Sequence, residues 1–409
     1  MNAEKLKVYA DLAVKIGVNL QYNQELVIKS DVRNADFVHV LAERAYVAGA
    51  SKVTIQWNDE VFFKLRCLNE TIESVSEIPD FQVRAGEYVI EKKAAYISVL
   101  SEDPELMREV NPEIISSNIR SVHRALKKFY DASMKNEIRW TIIAVPSRGW
   151  AEKVFPDMPF RDSIENLWQL IFKSMRMDTE NPVAEWNKHY GILEKRAEIL
   201  NSYNFSALHY KNSLGTNVIV GLPENYRFQC CGEKASDGVV FTANMPTEEV
   251  YTAPDKRKVN GVIKSSMPLI HNGKRIEGIS LTFSQGRIID YTATKGFEVL
   301  KEIIETDEGS HYLGEVALVP FDSPIQNLKT IFYNTLFDEN ASCHFAIGKA
   351  YPYCVKNGEN LSEEELDNAG LNSSIEHVDF MVGTEDLEIT GITADGRAVE
   401  VFRKGNFAV

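Results

Sequence analysis

The chain has 409 residues, of which 44% are hydrophobic and 25% charged, and a formal net charge of −14 from 45 Lys and Arg against 59 Asp and Glu. This composition is globular and the length predicts two to three domains, which excludes collagen-like, wholly disordered and disulfide-knotted chains. The apolar run at 140–145 is far short of the roughly 18 residues of a membrane span, and no long Lys/Arg run offers phosphates or anionic lipid a basic stripe, so neither nucleic acid nor membrane is an expected partner.

Residues 1–5 lead into an amphipathic stretch without an apolar signal-peptide core, so a cytoplasmic protein is expected. Residues 3–17 read as a helix, with Leu6, Tyr9, Ala10, Ala13 and Ile16 at helical spacing. A strand at 25–29, a helix over 31–50 ending near Gly49 and a strand at 52–57 form a β-α-β unit, which favours a parallel sheet. Further strands are expected at 95–100 and 139–145, and a helix at about 162–177. The first 182 residues thus read as an open α/β domain. No GxGxxG or GxxxxGK[ST] follows any strand, so a nucleotide site is not expected there.

Asn181-Pro182 breaks the chain before a helix at about 183–201, which carries Trp186, Tyr190, Leu193, Ala197 and Leu200 at helical spacing. Strand-like segments follow at 206–210, 217–220, 226–228, 276–283, 288–291, 312–319, 344–347, 377–382 and 387–393. Asn260-Gly261 and Asn272-Gly273 read as turns between them. The fold class is therefore α/β: an N-terminal α/β domain over 1–182, then a β-rich α+β domain over 183–409. Charge is uneven, with 24 basic and 27 acidic residues in the first part against 21 and 32 in the second. An acidic excess favours solubility, and also the binding of cations or amines. The cysteines Cys67, Cys230, Cys231, Cys343 and Cys354 are odd in number and lack zinc-knuckle spacing, so reduced thiols are expected.

Four segments of the second part carry candidate chemistry. Glu248 and Glu249 are adjacent, so in extended chain they point to opposite faces. Glu315 lies in the apolar strand 313–319 and would share a face with Leu313, Ala317 and Val319; a lone buried carboxylate there calls for a metal, a cation or a raised pKa. Asp338, Glu339, Cys343 and His344 cluster beside a strand, but Cys343 and His344 point apart, so a core thiol is favoured over a Cys-His nucleophile. His377 and Asp379 are two apart on a strand and share a face, as a chelating pair would. Three or four carboxylates with two histidines suit a two-metal site of Zn, Co or Mn. There is no HExxH and no GxSxG.

The segments at 244–255, 313–317, 337–344 and 377–379, in this order and spacing, resemble the thermophilic metallo-aminopeptidase family of the aminopeptidase T and aminopeptidase S type. The resemblance spans essentially the whole chain. It implies two divalent metal ions held by Glu249, Glu315, His344, His377 and Asp379, with Glu248 the less favoured of its pair. It implies that Glu339 is a further ligand or an acid/base group, and that Tyr351 is an active-site tyrosine. It also implies peptide substrates with a free N-terminus and homodimers enclosing a catalytic chamber. Glu315 or another site carboxylate would move the proton of the attacking water, and Tyr351 would donate a hydrogen bond to the oxyanion. Two rival readings are a dinuclear-metal phosphoesterase, for which Lys256-Arg257-Lys258 would supply phosphate contacts, and a non-catalytic metal-containing binding protein.

Overall fold

The computed structural model describes residues 3–271 and 273–409. Met1 and Asn2 of the leader reading, and Asn272 of the second Asn-Gly pair, lie outside the described residues. The chain divides into two compact units, one running to Tyr190 with Cys231–Thr247 added, the other comprising Gly191–Cys230 and Glu248–Val409. The class is α/β, with a parallel sheet in the first unit and antiparallel sheets in the second.

The first unit is built on β1 (Glu25–Asp31), β2 (Lys52–Asn58), β3 (Ala95–Leu100) and β4 (Trp140–Ala144), all parallel in the order β2-β1-β3-β4. Leu26, Val27 and Ile28 are buried in succession, as expected of a parallel strand covered on both faces. The helix Ala35–Val47 buries Phe37, Val38, Leu41 and Ala45, and the helix Phe160–Ser174 buries Leu167, Trp168, Ile171 and Phe172. Tyr9 ties these layers together: its ring lies 5.5 Å from Phe37 and 5.9 Å from Trp168, and its hydroxyl donates to Ala144 O at 2.8 Å. The expected helix at 3–17 is helical throughout but widens into a π-turn at Ala13–Gly17. The helix Glu60–Asn69 had no sequence expectation because its apolar residues Val61, Phe62, Leu65 and Leu68 face solvent.

The second unit holds an eight-stranded antiparallel sheet, in the spatial order Arg287–Thr292, Ser280–Ser284, Val259–Lys264, Asn217–Gly221, Phe205–Lys211, Glu388–Thr393, Ala398–Arg403, Asn406–Phe407. A five-stranded antiparallel sheet contains β5 (Gln229–Cys230), β6 (Val250–Thr252), β7 (Leu313–Leu318), β8 (His344–Gly348) and β9 (His377–Met381), in the order β9-β8-β7-β6-β5. The two sheets meet where the ring of Tyr210 lies 5.0 Å from that of Phe345.

Three expected features differ. Residues 226–228 are not a strand: Asn201 accepts from Phe228 N at 2.8 Å and donates to Phe228 O at 3.0 Å, and the Tyr226 hydroxyl donates to Leu200 O at 3.2 Å. Main-chain pairing is confined to a single antiparallel bridge from Tyr226 to Val355, with Arg227 N donating to Cys354 O at 2.7 Å, and side chains anchor the rest. The expected strand at 276–283 is broken, because Glu277 leaves the ladder to bridge Lys295. Asn260-Gly261 is no turn but lies inside Val259–Lys264. Gly261 has φ of +125°, and a Cβ there would meet Asn217 O at 2.2 Å.

At the end of β1, Asp31 turns the chain into the following helix. It accepts from Arg33 N at 2.9 Å and Glu60 N at 3.0 Å, and pairs with the Arg33 guanidinium at 2.6 and 3.0 Å. Burial alone would raise its carboxyl pKa, but these donors outweigh it and hold the group below its ordinary value. The ionised form therefore stabilises the fold above the ordinary carboxylate range, and that contribution is lost as pH falls through the depressed folded value. Asp31→Asn is expected to destabilise the first unit by about 1–2 kcal/mol at pH 7, a loss of cap and charge-assisted bonds. The difference from wild type should narrow as thermal melts are run from pH 7 down below about 4; a difference that does not change with pH contradicts this role.

Candidate metal centre

Alternation along the five-stranded sheet sorts its residues onto two faces. Registers place Val250 opposite Leu318, Thr252 opposite Val316, Val316 opposite Phe345, Phe345 opposite Phe380, and Ile347 opposite Val378. This face is buried and apolar apart from Thr252, and it anchors the sheet. The other face carries Tyr251, Ala317, His344 and Met381 in one row and Glu315, Ala346 and Asp379 in the next, with Gly348 and His377 beyond. Glu249, two residues before Tyr251, belongs to the same side. Ala317, Ala346 and Gly348 are small, which leaves room between the longer side chains.

Glu315 reaches this face through an irregularity. Leu313 pairs with Ile347 on the core side, yet Glu315 pairs with Ala346 on the site side, with a register shift between them. Gly314 is the extra residue of a β-bulge. The expectation that Leu313 and Glu315 share a face is thus corrected. The bulge separates them, and the carboxylate turns to the polar site face, where it is still buried.

Five side chains come together as two groups that share Glu315: Glu249, Glu315 and His344, and Glu315, His377 and Asp379. His344 Nε2 lies 3.0 Å from Glu249 Oε2 and 3.7 Å from Glu315 Oε1. His377 Nε2 lies 3.4 Å from Glu315 Oε2 and 3.6 Å from Asp379 Oδ1. The two oxygens of Glu315 therefore serve different groups. The histidine side chains differ in exposure, 1% for His344 and 22% for His377, so the centre opens toward His377.

Both imidazoles are oriented from behind. His344 Nδ1 lies 3.0 Å from Ser342 O, and His377 Nδ1 lies 2.7 Å from Lys349 O. A carbonyl accepts only, so each Nδ1 carries a proton and each Nε2 faces carboxylate oxygens, either as an imidazolium donor or, when neutral, with a lone pair. In the neutral form acceptors face acceptors, which repel unless a cation lies among them. Asp379 Oδ1 is buried without a hydrogen-bond partner. Imidazole nitrogen with carboxylate oxygen is a donor set for divalent transition ions, so the residues fit such a metal.

The electrostatics say the same. Burial pulls His344 down, but the hydrogen bonds its protonated Nε2 donates to Glu249 and Glu315 prevail and hold it well above its ordinary value. Burial likewise lowers His377, while the charge of Asp379 and the bond to Glu315 push it up to about 9. Burial raises Glu315, yet the two histidines hold it at about 2. Burial keeps Glu249 and Asp379 above the usual carboxylate range. The centre binds positive charge, and protons answer that demand where no metal does.

The remaining candidates separate. Glu339 is buried, and burial, then the charges of Asp379 and Glu249, hold its carboxyl well above the ordinary range. Glu248 belongs to neither ligand group. Tyr351 is half-buried with its ring edge-on to His377 at 5.1 Å, and burial followed by the surrounding carboxylates keeps its hydroxyl protonated. Cys343 is a core thiol: its Sγ donates to Val319 O at 3.2 Å, and burial pushes it up to about 12. Lys256-Arg257-Lys258 is engaged in local ion pairs, with Arg257 and Lys258 each 3.0 Å from Asp255 and Lys256 paired to Asp367.

Of two further residues, Asn340 is not singled out by the sequence, whereas Asp338 is, as one of two acids beside a strand. The fully buried Asn340 accepts from Glu248 N at 2.7 Å and donates to Leu336 O at 2.9 Å, tying the Glu248-Glu249 segment to the turn that bears Glu339. Asp338 is not at the centre: its carboxylate accepts from Phe332 N and Asn334 N at 2.8 and 3.1 Å and pins that turn.

The chain matches the thermophilic metalloprotease (M29) family over residues 2–407 and belongs to that family. It is 43% identical to aminopeptidase AmpS of Bacillus subtilis over 99% of both chains. It is 37% identical to aminopeptidase T of Thermus aquaticus, again over 99% of both. The solved structure of wild-type AmpT from Thermus thermophilus covers 99% of each chain with a TM-score of 0.92 at 35% identity.

Removing divalent metal should leave the buried acids unbalanced. Each site held at 100-fold its dissociation constant adds about 2.7 kcal/mol to the folded state. Stripping with chelator is therefore expected to lower the melting temperature of the second unit by about 5 °C or more, with recovery on adding Zn or Co. A melt indifferent to chelator and metal counts against a metal at this centre.

Proposed function

We propose that this metallo-aminopeptidase hydrolyses the N-terminal peptide bond of peptides at a centre of two divalent ions, Zn, Co or Mn. The observation that carries this reading is the division of five ligating side chains into two groups through the two oxygens of Glu315. Glu249 and His344 would complete one ion's ligands from the chain, and His377 and Asp379 the other's. Ions bound there supply Lewis acidity at the scissile carbonyl and lower the pKa of water.

The chain's own residues do the rest. Because both oxygens of Glu315 are engaged by the two groups, we assign it to holding the centre and give proton transfer to Glu339. That carboxyl lies outside both groups and is buried close to the charges of Asp379 and Glu249, a position from which it would take a proton from water and return it to the leaving amine. Tyr351, protonated beside His377, donates to the developing oxyanion. The partly exposed side of His377 and Asp379 is the entry for substrate, and the acidic field there favours a positively charged α-amine over a blocked one. On the family resemblance, the proposal extends to a cytoplasmic homodimer with an enclosed chamber, in which residues 183–409 supply the catalytic groups.

The test compares a leucyl chromogenic amide with its N-acetylated twin, using protein stripped by chelator and reloaded with Co or Zn. Turnover of the free-amine substrate alone, and only with metal, is expected; equal cleavage of both overturns recognition of the amine. Glu315→Gln should lower kcat/KM by more than the roughly 100-fold seen for residues that merely orient ligands, with the circular-dichroism spectrum unchanged. Near-wild-type turnover would remove Glu315 from the centre.

A further inference from the structure

We propose that Gly314 is a positioning residue for the His377 half of the centre: its bare Cα lets β7 press against the Gly348–Lys349 backbone and so sets Glu315 and His377 together. This rests on the two-ion reading above. A Cβ at Gly314 would stand 2.4 Å from Gly348 O and 2.4 Å from Lys349 O. Both are backbone carbonyls, which cannot swing aside as a side-chain tip can.

That backbone is held from several directions. Gly348 N donates to Tyr312 O at 2.9 Å and Lys349 N to Glu376 O at 2.7 Å. Gly348 O accepts from Asn372 Nδ2 at 2.6 Å, and the same amide donates to Gly309 O at 2.7 Å. Asn372 is itself buried, and its carbonyl receives Ala350 N at 2.9 Å. Lys349 O, caught in this frame, is the acceptor that orients His377 through Nδ1 at 2.7 Å.

Gly314 thus acts at two points. As the bulged residue it turns Glu315 onto the site face, and as a surface without a side chain it fixes the carbonyl that aims His377 Nε2 at Glu315 and Asp379. The other half is built elsewhere. His344 is oriented by Ser342 O, and beyond the bulge the ladder is regular, with Val316 opposite Phe345 and Ala317 opposite His344. A side chain at 314 should therefore disturb the two halves unequally. It displaces Lys349 O and with it His377, while Glu249 and His344 keep their places.

The experiment titrates metal-stripped wild type, Gly314→Ala and Asn372→Leu with Co(II), read by calorimetry and visible absorption. Far-UV circular dichroism and the melt of each metal-free protein control for folding. Wild type is expected to take up two equivalents. Gly314→Ala should bind the second about 10–100-fold more weakly, the range for groups that orient a ligand, and weaken the first by a clearly smaller factor, because Glu315 is common to both. Asn372→Leu, which frees Gly348 O without adding bulk beside β7, should weaken the same equivalent by a smaller factor. Two equivalents at wild-type affinity in Gly314→Ala, or equal weakening of both, overturns the assignment. If Gly314→Ala does not fold, Asn372→Leu decides: normal binding of both ions overturns it. A wild type that takes up a single equivalent overturns the two-ion reading, and this assignment with it.

Discussion

Three carboxylates and two imidazoles converge on one face of a sheet, each imidazole Nε2 within 3.0–3.7 Å of two carboxylate oxygens. Buried carboxylates with no positive charge among them are strongly unfavourable. The arrangement is stable only around cations. Its neighbours serve that condition. Ser342 O and Lys349 O fix both imidazole tautomers so that Nε2 faces inward, and the small side of the sheet at Ala317, Ala346 and Gly348 leaves space there.

The converse face explains why such a centre can be held open. Val316, Leu318, Phe345, Ile347, Val378 and Phe380 are buried, and the ring of Phe345 meets Tyr210 of the larger sheet. A strand anchored by alternate apolar residues cannot rotate its intervening residues out of the site. Ligands on neighbouring strands are therefore set by main-chain register rather than by flexible loops, which gives the tolerance a metal site demands. The exception is the bulge at Gly314, which transfers β7 from one register to the other within a single residue.

Neighbouring charge and sulfur take structural duties. Asp255 gathers Arg257 and Lys258 into local ion pairs, so the one compact basic cluster near the carboxylate segment is spent within its own turn. Cys343 exchanges hydrogen bonds with the main chain of Val319 and stays a thiol. Membership of the M29 family, with aminopeptidases among the relatives, makes the chain a metallopeptidase of the hydrolase class.

Much of this was legible in the sequence. The strand-helix-strand alternation before residue 182 reads directly as a parallel sheet, because burial on both faces writes continuous apolar runs such as Leu26 to Ile28. His377 and Asp379 share a face because strand side chains repeat every two residues, and Glu315 stands out as an acid in an apolar strand. The tertiary structure alone decided that Leu313 and Glu315 part company at a bulge; it brings Glu249 rather than Glu248 to the centre, the choice that the family resemblance already implied. It also decided that residues 226–228 pair through a single bridge and otherwise anchor to Asn201, and that Val61, Phe62, Leu65 and Leu68 of Glu60–Asn69 face solvent. The division has one physical cause. Side-chain periodicity is local and is written in the chain, whereas register and burial are settled by main-chain hydrogen bonds and contacts between segments distant in sequence, and those bonds are the same for every residue type.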